Sequence, residues 1–138
     1  IALSVKEAFS HYNHETCSVL VATYRDEKQF RMTLENKLYY VRAGIRTGAM
    51  QFSLGMKAPR YLFLHKKDSF ILFLLKEVEP RLVSASYLQN LGFNPSGEQY
   101  WTFELLDIET AERTEYVRKI VANHGGMKMK PYIIRYRK

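Results

Sequence analysis

Residues 61–79, YLFLHKKDSFILFLLKEVE, carry the clearest structural signal in this chain of 138 residues. Two apolar runs, Arg60 to His65 and Phe70 to Val78, flank the polar residues Lys66-Lys67-Asp68-Ser69. Apolar and aromatic runs bounded by turn-forming residues are typical of paired strands. The stretch therefore predicts an antiparallel hairpin, and Pro80 ends or bends its second strand because proline cannot donate a backbone hydrogen bond.

The segment before this hairpin predicts a helix, a strand and one ambiguous region. Ser4 to Tyr12 is expected to form a short helix capped by Ser4. Cys17 to Tyr24 is apolar and β-branched, which indicates a buried strand. Two structures remain open for the next stretch: a hairpin turning at Asn36, or a helix from Glu27 to Val41.

The segment after the hairpin predicts four further elements. They are a short helix capped by Ser84 or Ser86, a strand from Gln99 to Ile108, a helix from Thr110 to Asn123 and a last strand from Pro131 to Tyr136. No alternation of strands with evenly spaced helices appears, so a doubly wound parallel sheet is not expected. The order favours an α+β fold with a mostly antiparallel curved sheet, or a small β-barrel, and peripheral helices.

Length and composition restrict the class of protein. Residues 1–138 suit a single domain, and 46% hydrophobic with 25% charged residues is an ordinary globular balance. The longest apolar run, Phe70 to Leu75, falls far short of the roughly 20 residues of a membrane span. A single Cys and no recognisable signal peptide favour a reducing, cytoplasmic compartment. Because the chain begins at Ile1, we expect it to be excised from a larger protein whose other domains are partners.

The net charge of +7 is unevenly distributed. Residues 35–67 carry seven basic side chains and one acidic, and residues 118–138 carry seven basic and none acidic. Residues 68–117 between them carry three basic and nine acidic. Two basic blocks flanking an acidic one favour a polyanionic partner.

Motifs for catalysis, cofactors and metals are missing or incomplete. The chain has no GxSxG, no phosphate-binding glycine loop and no second cysteine near Cys17. His11, His14 and Cys17 follow at intervals of three, but a structural zinc site needs four ligands. We therefore expect no metal, no cofactor and no enzymatic activity. A small metal-dependent nuclease using Glu77, Glu79 and Asp107 is kept as an alternative, although these carboxylates lack the usual accompanying Glu-x-Lys spacing.

Basic side chains near turns and strand ends are the best candidates for a binding surface. Each could neutralise one phosphate, which would make binding strongly dependent on salt. The candidates are Arg42, Arg46, Lys57, Arg60, Lys66, Lys67, Lys128, Lys130 and Arg135.

Aromatic residues interleave with these cations. A base taken out of its stack needs flat apolar walls, which Tyr and Trp provide. Tyr40, Tyr100 and Trp101 are the candidates for such a base pocket. For Trp101 the competing interpretation is a core position, because Phe103 and Leu105 share its side of the strand.

The hairpin at 61–79 and the later YWTFEL at 100–105 resemble PUA-like domains, the superfamily that includes the EVE and YTH families. The resemblance implies a small barrel that binds RNA or DNA, in many members through one modified or flipped base. Some bacterial members are parts of modification-dependent restriction proteins, which favours DNA. This chain departs from the YTH pattern because it has a single Trp, so tyrosines would have to supply the other walls.

These observations lead to a DNA-binding, non-catalytic recognition domain as the main hypothesis. Besides the nuclease, a protein-interaction domain that docks through the apolar segment 47–59 is the other alternative.

Overall fold

The computed structural model describes residues 16–43, 58–67, 69–126 and 131–137, without the side chains of 16, 17 and 135–137. These residues form seven strands and three helices. In chain order they are β1 (Thr16–Thr23), α1 (Glu27–Asn36), β2 (Leu38–Arg42), β3 (Tyr61–Lys66), β4 (Ser69–Leu75), β5 (Arg81–Ser84), α2 (Ala85–Asn90), β6 (Gln99–Ile108), α3 (Ala111–His124) and β7 (Tyr132–Arg137). The expected helix Ser4 to Tyr12 lies outside the described residues. No helix among the described ranges is long and apolar enough to cross a membrane.

The hairpin predicted from residues 61–79 is confirmed. β3 and β4 pair antiparallel from Tyr61 opposite Leu74 to Lys66 opposite Ser69. Lys67 follows in the left-handed region, with φ of 53°, where the chain turns. β4 ends at Leu75, earlier than the expected Val78.

The seven strands form one curled, half-barrel sheet in the order β2-β6-β4-β3-β1-β7, with β5 paired to β6. The pairing of β1 with β3 is parallel, and all other pairs are antiparallel. β5 and β4 pair with successive halves of β6, whose other edge pairs with β2. The α+β class with a curved sheet and peripheral helices is therefore confirmed.

The ambiguous region from 27 to 41 is a helix followed by a strand, so the predicted hairpin at Asn36 is wrong. Asp26 caps the helix by accepting a hydrogen bond from the Gln29 N–H at 2.8 Å. Lys37 ends it in the left-handed region, and its N–H donates to Thr33 O. The alternative prediction, a helix from Glu27 to Val41, is correct up to Asn36. The predicted helix is too long because Leu38–Arg42 forms β2 and pairs with β6.

The remaining predicted elements are confirmed with small shifts at their ends. Ser84 caps α2, Gly92 follows it with φ of 100°, and Thr110 caps α3. β6 covers the expected residues.

Apolar side chains pack on both faces of the sheet. Alternate residues of β1 and β3, such as Val19 and Phe63, pack under α3 with Val117, Ile120 and Val121. Their neighbours, such as Leu20 and Leu62, face a second cluster with Trp101, Phe103 and Leu105. A third, smaller cluster joins β2, β5, β6 and α2. Because side chains alternate across a strand, β1 and β3 are buried on both faces.

Two adjacent leucines of β6 give a matched test of this packing. Leu105 is 4% exposed and Leu106 is 52% exposed. We expect Leu105→Ala to lower the free energy of unfolding by about 2–5 kcal/mol, because it leaves a cavity in the core. Leu106→Ala should change it by less than about 0.5 kcal/mol. Urea denaturation measures both, and equal losses would contradict the described orientation of β6.

Candidate nucleic-acid interface

The structure divides the predicted phosphate contacts among several places. Arg46, Lys57, Lys128 and Lys130 lie outside the described residues, and Arg135 is described only in its backbone. The other four, Arg42, Arg60, Lys66 and Lys67, can be placed.

Arg60 is separated from the two lysines by the length of a strand. It precedes β3, whereas Lys66 ends that strand, so the two lie roughly 20 Å apart at ~3.3 Å per residue. The Arg60 guanidinium donates to Glu77 Oε1 at 2.6 Å, which compensates its charge. Its backbone N–H donates to Ser18 Oγ at 3.1 Å, and Ser18 pairs with Arg135 in β7. Arg60 and the Arg135 backbone therefore share one end of the sheet, away from the lysines.

Arg42 lies at a third position. It ends β2 opposite Tyr100 of β6, with β6 and β4 between its strand and β3. Its side chain lies across Gly97, where an added Cβ would come within 2.8 Å of Arg42 Nε.

Cations do gather at the end of the sheet where β1 and β3 finish. These two strands are parallel and pair up to Thr23 opposite His65. The residues that follow each strand therefore leave the sheet at the same end. Lys66 Nζ donates to Arg25 O at 3.0 Å and lies 5.3 Å from the centre of the Tyr24 ring. Lys67 follows, exposed, at the hairpin turn.

Arg118 of α3 joins this end from the other face of the hairpin. Its guanidinium carbon lies 5.9 Å from the centre of the Phe70 ring, and Phe70 pairs with His65 one position from the Lys66–Ser69 pair. We call Arg25, Lys66, Lys67 and Arg118 the basic end. It unites one residue of the C-terminal basic block with two of the first block.

Carboxylates moderate the charge of the basic end unequally. Asp26 Oδ2 lies 3.8 Å from Arg25 Nε, and Glu115 accepts from Arg118 Nε at 2.9 and 3.1 Å. The hydrogen bond from Arg118 lowers the pKa of the Glu115 carboxyl. Among the described residues neither Lys66 nor Lys67 forms an ion pair. Asp68, the next residue, lies outside the described ranges.

Arg25 and Arg118 were not among the candidates chosen from the sequence. Arg118 belongs to the C-terminal basic block, so charge patterning gave a partial signal. Arg25 lies in a segment of balanced charge, and only the parallel pairing of β1 with β3 brings it to the lysines.

The three aromatic candidates do not line one pocket. Tyr40 contacts Phe93 and Tyr100 edge to face, each with ring centres 5.1 Å apart. Tyr100 is buried, and its hydroxyl accepts a hydrogen bond from the Gly97 N–H. Trp101 points to the opposite side of β6 and is buried in the central core. The rings of Tyr40 and Tyr100 therefore pack against each other. Trp101 occupies a core position, as its competing interpretation predicted.

Tyr40 is held in place as a neutral hydroxyl. Burial raises the pKa of its phenol, and Gln29 Nε2 donates to the Tyr40 hydroxyl at 3.3 Å.

The carboxylates of the alternative nuclease are not assembled. Glu77 binds Arg60, and Asp107 Oδ1 accepts from the Ile108 N–H at 2.8 Å. In the described part of the chain, no three His, Cys, Asp or Glu residues are grouped to hold a metal ion. The interaction segment 47–59 is described only from Ala58 onward.

One apolar groove lies between α1 and the end of β6. It is lined by Leu34, Phe73, Leu105, Leu106 and Ile108, with Lys37 and Asp107 at its rim, and has a volume of about 160 Å³. Small-molecule sites usually measure about 300–1,000 Å³, so this groove is small for a cofactor.

No family model, curated protein or solved structure matches this chain. The resemblance of residues 61–79 to PUA-like domains therefore stays a prediction.

Tyr132 ties the end of α3 to the start of β7. It pairs with Val21 of β1, and its hydroxyl donates to Gly126 O at 2.6 Å. Burial raises its pKa to about 12, above the ordinary value of about 10. The folded state therefore favours the neutral phenol. This contribution to stability is complete below pH ~10 and is lost as the pH rises toward ~12.

We expect Tyr132→Phe to weaken the alkaline loss of stability. At pH 8 the variant should be less stable by about 0.5–1.5 kcal/mol, because it lacks the hydrogen bond to Gly126. Between pH 10 and 12 its free energy of unfolding should fall less steeply than that of the wild type, since the variant has no phenol to ionise at this position. Urea denaturation at several pH values measures this, and parallel curves would contradict it.

Proposed function

We propose that this chain is a non-catalytic nucleic-acid-recognition domain that holds the phosphate backbone at the basic end. The observation that carries the proposal is the position of Lys66 and Lys67. They lie at a hairpin turn, without an ion pair among the described residues, and between Arg25 on one side and Arg118 on the other. Lys67 is exposed and Lys66 half-buried, and cations at such a turn suit a polyanion because phosphate contacts release condensed counterions.

The cations at the opposite end of the hairpin are weaker candidates for phosphate contacts than those of the basic end. Arg60 and Lys76 at the opposite end of β3 and β4 have carboxylate neighbours in Glu77 and Glu104. Glu77 and Glu104 thus compensate the cations at that opposite end, whereas at the basic end Glu115 pairs with Arg118 and neither lysine has an ion pair among the described residues. DNA is the first partner to test, because the resemblance to PUA-like domains extends to restriction proteins. The proposal does not include Tyr40, Tyr100 and Trp101 as a base pocket, since their rings face different clusters.

Neutralising the two lysines tests the phosphate contacts. We expect Lys66→Gln with Lys67→Gln to weaken binding to all DNA sequences alike. The plot of log affinity against log salt should become less steep by roughly 0.7–0.9 for each phosphate that the variant no longer neutralises. Fluorescence anisotropy with a labelled oligonucleotide at rising salt measures both effects.

Lys76→Gln is the matched control, since it removes one exposed lysine at the opposite end of the hairpin. An equal loss per charge in the control would mean that net charge alone governs binding. Affinity of the wild type that hardly changes with salt would refute the proposal itself.

Removing the carboxylate beside Arg118 should act in the opposite direction. Glu115→Gln leaves the guanidinium without its ion-pair partner, so we expect tighter DNA binding at low salt. Glu98→Gln makes the same charge change at an exposed position outside the basic end and should have a smaller effect. The same titration compares them, and an equal gain in both variants would count against a contact at Arg118.

A further inference from the structure

We propose that the exposed ring of Phe70 stacks on an unpaired base, so that the domain prefers single-stranded nucleic acid. This inference rests on the proposed function and names the strand state that the basic end binds.

Phe70 is exposed at a place where its ring is well supported. It is 37% exposed, although it is a large apolar side chain in a strand. The ring of Phe63, which is fully buried, lies nearly parallel to it, with 20° between planes and 5.7 Å between centres. Phe63 itself packs in the core under α3. Phe70 is therefore an aromatic surface backed by rigid core, which suits stacking because little side-chain freedom is lost on binding.

One cation contacts this ring and two more lie nearby on the same hairpin. The Arg118 guanidinium carbon lies 5.9 Å from its centre, and Glu115 holds that guanidinium in position. Lys66 lies one pair further along the hairpin with its side chain on the opposite face, beside Tyr24, and Lys67 follows at the turn. An aromatic surface that has a guanidinium beside it and lysines at the adjoining turn matches a strand that offers a base and its flanking phosphates together.

A duplex fits this arrangement poorly. Its bases are stacked on one another, and exposing one to Phe70 would require unstacking. Unpaired bases present their faces at no such cost. The preference for single strands thus follows from the position of the ring at an exposed turn.

Tyr87 of α2 provides a matched comparison. It is 40% exposed and also has an arginine beside it, with the Arg81 guanidinium carbon 5.9 Å from its ring centre. Arg81 and Tyr87 belong to β5 and α2; β5 pairs with β6, and α2 packs on β5. If an exposed aromatic beside an arginine were enough, the two positions would behave alike.

The experiment compares two single-stranded probes and four proteins. The probes are a single-stranded oligothymidylate of about 12 nucleotides and an abasic strand with the same phosphates. The proteins are the wild type, Phe70→Leu, Phe70→Tyr and Tyr87→Leu, each checked for folding by circular dichroism. Fluorescence anisotropy gives the affinities, and a duplex of equal length is measured alongside.

We expect Phe70→Leu to weaken binding to the oligothymidylate by roughly 5- to 100-fold, whereas Phe70→Tyr and Tyr87→Leu bind nearly as the wild type does. The abasic strand should bind wild type and Phe70→Leu equally. A separate Phe70→Trp variant should lose fluorescence when the oligothymidylate binds, since a stacked base quenches an exposed indole, whereas native Trp101 is buried.

Three results would overturn the inference or its basis. Equal affinity of the wild type for thymidylate and abasic strands, with salt-dependent binding to both, refutes base stacking and leaves the phosphate-binding proposal standing. A Tyr87→Leu loss as large as that of Phe70→Leu refutes the assignment to the basic end. No binding to any strand refutes the proposed function itself.

Discussion

The parallel pairing of β1 with β3 is the constraint on which the rest of the structure depends. These two strands are buried on both faces, with Val19 to Ala22 and Tyr61 to Leu64 fully excluded from solvent. A parallel pair cannot be joined by a tight turn, so the intervening chain must return to the starting end of β1. Along that path it forms α1 and β2, and β2 pairs with β6 at the far edge of the sheet.

The same pairing decides which charges meet. Parallel strands leave the sheet at a common end, so the residues after β1 and those after β3 become neighbours. The antiparallel strand β4 begins at that end with Phe70 as its second residue, and Arg118 of α3 lies over the Phe70 ring. Cations from three separate segments are gathered there, whereas Arg42 and Arg60 lie elsewhere. The basic end is thus a consequence of strand direction as much as of charge composition.

Some of the architecture could be predicted because its signals are local. The hairpin, the strand Gln99–Ile108 and the helix that begins after Thr110 depend on neighbours within a few residues, and the sequence predicted them. For the cap of α2 the sequence left Ser84 and Ser86 open, and the structure has Ser84. Residues 27–42 were harder because helix-forming and strand-forming residues adjoin there. The helix ends there because Lys37 adopts the left-handed region. Leu38–Arg42 is a strand because it pairs with β6, some sixty residues away in the chain.

The candidate site likewise combines features that local sequence predicts with features that depend on tertiary structure. The sequence by itself determined the α+β class, the unequal distribution of charge, and Lys66 and Lys67 at a turn. Only the tertiary structure decided that Arg25 and Arg118 join those lysines, that Glu77 neutralises Arg60, and that Trp101 faces away from Tyr40 and Tyr100. The physical reason is that turns and caps arise from interactions between near neighbours. Which cation keeps its charge exposed depends on strand register and on partners distant in sequence, which a linear pattern does not contain.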